Sequence, residues 1–244
     1  KNIKITQEWQ GNDYVLSVSG TMRETVVFGE NLTLTRTVST RLGEKRFWIH
    51  DVVTNDGFKP AKYMLLYHCN IGWPVVDRGS EIIAPSRHIA PRDAEAEAGR
   101  QDWYKLDPPT HGYKEKVYYH DMAADPRGNV TAAIVNSGFK GKGEGFGVYL
   151  KYNKKELPRF AEWKQMGEQD YVVGFEPCNC GVEGRAVDDK QGLLHSLRPG
   201  QSQNVHLEFG ALTSAKEVAA LRKACSKVKT EIVDSYTRFV KKPR

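Results

Sequence analysis

Residues 25–55 read TVVFGENLTLTRTVSTRLGEKRFWIHDVVTN, and their punctuation decides the fold class. Gly29-Glu30-Asn31 and Leu42-Gly43-Glu44 separate runs rich in Val, Thr, Phe and Trp, which is the chemistry of turns between antiparallel strands. Leu32, Leu34, Arg36 and Val38 alternate with Thr33, Thr35, Thr37 and Ser39, giving one mostly apolar face and one polar, threonine-rich face. The expected result is a meander with one face buried. Upstream, DYVLSVSGTMRE (13–24) supplies an earlier strand, and downstream the chain runs to a turn at Asp56-Gly57. His50, inside the apolar strand, reads as a hydrogen-bonded structural histidine.

The whole composition fits this beginning. A chain of 244 residues with 39% hydrophobic and 27% charged residues is an ordinary globular protein, large enough for a single β-sandwich domain. No apolar run approaches bilayer length, so no membrane segment is expected. Although the net charge is +6, the 36 basic residues face 30 acidic ones and are spread along the chain, which argues against nucleic acid as a partner. The densest basic run, Lys241, Lys242 and Arg244, is terminal and reads as a frayed end. Four cysteines do not form a disulfide framework, so a reducing, cytoplasmic location is expected. Cys178-x-Cys180 with His68-Cys69 lacks the spacing of structural zinc sites and reads as packing, with no metal.

Two stretches carry candidate chemistry. In 171–185, YVVGFEPCNCGVEGR, a strand reaches Glu176 and meets Pro177, which strands tolerate at their ends. Glu176 shares a face with Val172 and Gly174, and the glycine is expected to leave open space for a ligand. In 61–74, AKYMLLYHCNIGWP, a buried strand is expected to deliver His68 to its end before a Gly/Pro/Asn loop. His68 and Glu176 thus form a candidate acid and base pair. Residues 77–112 form a long polar excursion with Arg87, His88, Arg92, Asp93, Trp103 and Tyr104, read as a loop with a short helix at 93–98. Further strands are expected at 115–120, 130–136, 145–152, 160–166, 193–197 and 205–212, with a turn at Arg198-Pro199-Gly200-Gln201. The hairpin tip 138–147, GFKGKGEGFG, lacks the arrangement of a phosphate loop. Ser214 to Glu217 is a capping box, and Val218, Leu221, Cys225, Val228, Ile232, Tyr236 and Phe239 recur at helical steps, so one amphipathic helix is expected to close the chain.

The stretches FGENLTLTRTVST, IHDVVTNDG, LLYHCNIGWPVVDRGSEIIAP, EKVYYHD, ELPRFAEWKQMGEQDYVVGFEPCNC and LRPGQ, in this order, resemble the galactose mutarotase-like superfamily. Within it they resemble a bacterial branch related to aldose 1-epimerases and classed as a domain of unknown function (DUF4432-like). The resemblance implies an all-β fold, a large antiparallel β-sandwich over 1–212 whose concave face binds a sugar, followed by the helix and tail at 213–244. It places Glu176 at the catalytic base and His68 at the acid of a mutarotase-like isomerase, with His68 cationic and Glu176 anionic through mutual attraction and with no cofactor. Arg87, Arg92, Asp93, Asn70 and Asn179 are candidates to bind the sugar or sugar derivative. The net charge and the arginines of 77–112 raise the expectation of an anionic sugar. The alternatives are a non-catalytic carbohydrate-binding sandwich and a purely structural one. Relatives begin with a further N-terminal segment, so an associated N-terminal fragment is an expected partner, and this chain without it is expected to expose a sheet edge and an apolar face.

Overall fold

The structure, a computed structural model, describes residues 2–139 and 145–240, so 140–144 of the 138–147 hairpin tip lie outside the described residues, as does the run Lys241, Lys242, Arg244. The chain begins with the meander β1 (Lys4–Gln10), β2 (Asp13–Thr25), β3 (Asn31–Arg41) and β4 (Arg46–Asn55). Four short strands follow: β5 (Ala61–Tyr63), β6 (Cys69–Ile71), β7 (Glu81–Ile83) and β8 (Ser86–Pro91). After helix α1 (Ala94–Ala98) come β9 (Lys116–Met122), β10 (Asn129–Asn136), β11 (Phe146–Asn153), β12 (Arg159–Met166) and β13 (Tyr171–Cys178). Helix α2 (Arg185–Gln191), β14 (His195–Leu197), β15 (Ser202–Leu212), α3 (Ala215–Cys225) and β16 (Glu231–Ile232) complete the order.

These strands form the expected β-sandwich. An eight-stranded sheet runs β1-β2-β3-β4-β15-β11-β10-β7, and a six-stranded sheet runs β16-β8-β9-β12-β13-β6. β5 and β14 make a small separate pair. All pairings are antiparallel except β16, which runs parallel to β8. Phe160, Phe175, Val173 and Met122 of the smaller sheet pack on Ile134, Leu150, Tyr152 and Leu207 of the larger one, forming the main core. Because side chains alternate across a strand, the other face of the smaller sheet carries Ala90, Tyr119, Ala161 and Glu176, which are register partners across β8, β9, β12 and β13.

The smaller sheet does not reach across the larger one. Ile5, Val18, Val38 and Ile49 are successive register partners on one apolar face, as are Met22, Leu34 and Val53. On β4 this face joins the buried clusters. On β1 and β2 it is bare: Ile5 is 66% exposed, Met22 58% and Trp9 69%. Soluble proteins rarely present a contiguous apolar surface of this kind.

Three expectations are corrected. First, 77–112 is not mainly a loop: β7 joins the large sheet through β10, β8 joins the small one through β9, and Asp93 caps α1. Second, 61–74 is not one strand, because β5 pairs with β14 while β6 pairs with β13, and 64–68 crosses between them. Third, the terminal helix stops at Cys225. Its capping box forms, with Ser214 Oγ accepting from the Glu217 amide. Beyond it Val228 turns back onto the Cys225 carbonyl, and the Val233 amide donates to Ile89 as the chain enters the sheet edge. A β-branched run, Thr230 with Ile232 and Val233, outweighs the helical spacing there. Helix α2 was not foreseen; it ends at Gly192, whose φ of 69° is the left-handed cap position suited to glycine. His50 does hydrogen-bond, to Asn204, but on the polar face, stacked on His206.

No helix among the described residues is long and apolar enough to cross a membrane. The bare face generates a prediction. Ile5→Thr with Val18→Thr should reduce binding of an apolar fluorescent dye while changing stability in urea by no more than about 0.5 kcal/mol. A loss of several kcal/mol would mean that these side chains belong to a core.

Candidate active site

The site grows from β13 and the crossing segment beside it. β13 does not end at Glu176 but continues through Pro177 to Cys178, with Ala161 opposite Glu176 and Phe160 opposite Pro177. The proline is accommodated because its carbonyl accepts from Tyr67 N, which places its missing N–H on the side of the irregular segment 64–68. That segment is held firmly. Asn179 clasps Leu65 at both ends, its side-chain oxygen accepting from Leu65 N at 2.7 Å and its backbone N–H donating to Leu65 O at 3.0 Å. Tyr67 donates to Asp51 Oδ2 at 2.6 Å, and Asp51 is gripped from the other side by Arg36 at 2.6 and 2.9 Å. Burial and the Asp51 carboxylate push the Tyr67 phenol up, so it stays a donor.

His68, next in sequence, is thereby aimed at Glu176. Its Nε2 lies 3.1 Å from Glu176 Oε1. Its Nδ1 lies 2.8 Å from Asn70 Oδ1, an atom that can only accept, so Nδ1 carries a proton and Nε2 faces the carboxylate. Glu176 is buried whereas His68 is half exposed. Desolvation raises the Glu176 carboxyl to about 7, against the pull of His68; nearby Glu115 pushes it up and Arg92 pulls it down. The expectation that attraction to His68 would hold Glu176 firmly ionised is therefore corrected: burial is the larger effect. Near neutral pH the Glu176 carboxyl is therefore poised between its protonated and ionised forms.

Gly174 is likewise not a vacancy. A Cβ there would sit 2.9 Å from Glu176 Oε1, 3.2 Å from His68 Cε1 and 3.4 Å from Trp163 Cβ. The space that the sequence suggested for a ligand is taken by the pair itself. Trp163, paired with Gly174 across β12 and β13, presents its ring to the His68 ring, edge to face at 5.4 Å. Its Nε1 donates to Glu115 at 2.6 Å, and Arg92 donates to Glu115 at 2.9 Å and to Asp93 at 2.8 Å. Hydrogen bonds from Trp163 and Arg92 hold the Glu115 carboxyl below its usual range.

The sugar-binding candidates thus separate. Asn70 and Arg92 stand beside the pair. Asp93 positions Arg92 and caps α1 through Ala96 N. Asn179 is buried, and its role is to clasp Leu65 rather than to line an open site. Arg87 is at the start of β8, the opposite end from Arg92, and lines a separate cavity with His88, Asp121 and Lys154. Trp103 packs against His120 in the interior. Trp163 and Glu115 were missed; only the alternation Ala161, Trp163 on β12 pointed to them, and it needed the register with Gly174 to mean anything.

A second constellation has the composition of a nucleophile triad. Ser86 Oγ lies 2.8 Å from His120 Nδ1, and His120 Nε2 lies 3.2 Å from Glu162 Oε2, at ion-pair distance without hydrogen-bond alignment. All three are buried, which leaves Ser86 closed to a substrate. Cys178 and Cys180 are buried and free, with Cys178 Sγ donating to the Cys180 carbonyl at 3.1 Å.

Two outcomes follow from this geometry. Gly174→Ala should lengthen the His68–Glu176 contact in a crystal structure and cost about 1–3 kcal/mol, because the buried carboxylate has to give way. A variant of full stability with the contact intact would contradict the close fit. For Glu176 the folded state holds its proton to about 7 against an ordinary 4.5, so its stabilising contribution is complete below 4.5 and is lost as pH rises through 7. Glu176→Gln should therefore gain stability relative to the parent as pH rises across that window, by on the order of 1–3 kcal/mol in urea titrations. A difference independent of pH would show that burial does not shift this group.

Comparison with known proteins bears on the whole chain. A crystal structure from Klebsiella pneumoniae subsp. pneumoniae, provisionally named an aldose 1-epimerase, superposes with a TM-score of 0.87 at 26% identity. It covers 96% of this chain, which spans 60% of that protein's length. A galactose mutarotase-like protein from Clostridium acetobutylicum superposes at 0.57 with 11% identity, covering 86% of this chain and 66% of the other. A galactose mutarotase related enzyme from Lactobacillus acidophilus superposes at 0.56 with 11% identity, covering 88% and 73%. No curated protein matches. Residues 1–211 match the family described as a domain of unknown function, DUF4432. The chain has the galactose mutarotase-like fold, and it belongs to the DUF4432 family.

Proposed function

We propose that this chain is an aldose 1-epimerase-like isomerase that acts at the anomeric carbon of a sugar or sugar derivative. The observation that carries this reading is the direct contact of His68 Nε2 and Glu176 Oε1 on the sheet face away from the core. Mutarotation needs a base for the anomeric hydroxyl and an acid for the ring oxygen. The Glu176 carboxylate takes the O1 proton, C1 and O1 form a carbonyl, the bond from C1 to the ring oxygen breaks, and His68 Nε2–H protonates that oxygen. Rotation about C1–C2 presents the other carbonyl face, and reversal of the steps closes the ring. Ring closure returns the proton on Glu176 to O1 and the ring-oxygen proton to His68, so both groups regain their starting forms when the ring closes. A carboxyl near 7 suits this role, because it accepts a proton at neutral pH without holding it too tightly.

Trp163 and Arg92 would flank the sugar in this reading. Arg92 Nε and one Nη are engaged by Asp93 and Glu115, which leaves the other Nη to meet a hydroxyl or anionic substituent. The bare face of β1 and β2, together with the greater length of the Klebsiella protein, supports a polypeptide segment that covers that face.

Glu176→Gln and His68→Asn should each lower anomer interconversion by at least about a hundredfold, and the double variant should be little worse than either. The parent rate should rise with pH through about 7 as Glu176 loses its proton. NMR exchange spectroscopy over a panel of aldoses checks both. Binding of sugar with no exchange in the parent would support a non-catalytic carbohydrate-binding sandwich instead.

A further inference from the structure

A cavity of about 360 Å³ opens at the ends of β8, β9 and β12, apart from the His68–Glu176 pair. Its size falls within the range of small-molecule sites. Its apolar floor is made by Tyr119, Phe160, Pro158 and Phe239. Its polar lining is unusually basic, with Arg87, Lys154, Arg159 and Arg238 against one carboxylate, Asp121.

The lining separates into a fixed base and a free rim. Lys154 donates to Asp121 Oδ1 at 2.6 Å and to the Met122 carbonyl at 2.5 Å, and His88 Nδ1 reaches Asp121 Oδ2 at 3.2 Å. Burial pushes the Asp121 carboxyl up, but Lys154 and His88 overcome it and hold it below its usual range, so its charge is already matched. Arg159 is buried and committed to the carbonyls of Asn179 and Leu193. Arg87 is different. It is the extra residue where the β8–β9 register shifts, and its guanidinium has no hydrogen bond or ion pair among the described residues. Arg238 has only a long, exposed contact of 3.4 Å to Asp234. His88 is braced by stacking on Phe239, whose neighbour is Arg238.

We propose that this cavity is a second binding site, in which Arg87 and Arg238 hold a small phosphate-type dianion over the Asp121–Lys154 base. Guanidinium groups bind such oxyanions by paired hydrogen bonds, and an anion here would give Arg87 a partner and Arg238 one beyond its long contact to Asp234. The floor of Tyr119, Phe160 and Phe239 would accept the apolar part of a phosphate monoester. A phosphate here is three strand spacings, about 14 Å, from β13, so it lies beyond the substituents of a single sugar ring whose anomeric carbon meets Glu176.

Calorimetry with inorganic phosphate, at low salt and at constant ionic strength set with chloride, tests the site. Phosphate should bind the parent protein, Arg87→Ala and Arg238→Ala should each weaken it at least tenfold, and Glu176→Gln should leave it unchanged. Both arginines are exposed at the rim, and thermal melts equal to the parent's should confirm that the variants fold. Phosphate binding that is indifferent to both arginine variants, that vanishes in chloride, or that is lost with Glu176→Gln would overturn the proposal. Because inorganic phosphate is the probe, failure here leaves the anomeric chemistry of Glu176 standing, and failure of that chemistry leaves this site standing.

Discussion

The buried carboxylate of Glu176, closed on His68, is the interaction on which the rest of the site depends. Removing a carboxylate from water is costly unless it is paired or neutralised, and here a single half-exposed imidazole provides the pairing. The outcome is a raised affinity for a proton rather than a stable ion pair. Everything nearby serves to keep these two groups in register. Gly174 removes the Cβ that would push them apart, Asn70 fixes the imidazole, and Asn179 and Asp51 fix the segment that carries it.

The sandwich explains why such a pair can exist at its surface. One face of the smaller sheet is consumed by the core, and the alternation of side chains delivers Ala161, Trp163, Gly174 and Glu176 to the other. Small residues at Ala90 and Ala161 allow the terminal segment to lie on this face, where Val233 and Tyr236 cover Tyr119. The segment around Val233 and Tyr236 therefore covers part of this face at β8 and β9, while the bare apolar face of β1 and β2 lies at one end of the large sheet.

Much of this was legible in the sequence. Strand alternation and turn residues gave the meander, and the residues before Pro177 and after Tyr67 gave the pair. What remained hidden depended on distance along the chain. No local pattern says that Gly174 faces Trp163, that Glu115 reaches Trp163 Nε1, or that of the two arginines at the ends of β8 only Arg92 connects to Trp163. The terminal helix was overextended because Val228, Ile232, Tyr236 and Phe239 fit a helical period, although pairing with β8 decides the conformation there. The same ambiguity hid the sheet-to-sheet crossing at 64–68, since an apolar run shows burial but not which partner buries it.

The central claim is that burial beside His68 brings the Glu176 carboxyl into the neutral pH range, and the side-chain carboxyl carbon of Glu176 reports on it directly. In a ¹³C NMR titration of the protein, that resonance should move with a midpoint near 7. In His68→Asn the midpoint should rise further, because the neighbour that pulls it down is gone. A midpoint near the ordinary 4.5, unmoved by the substitution, would contradict the account.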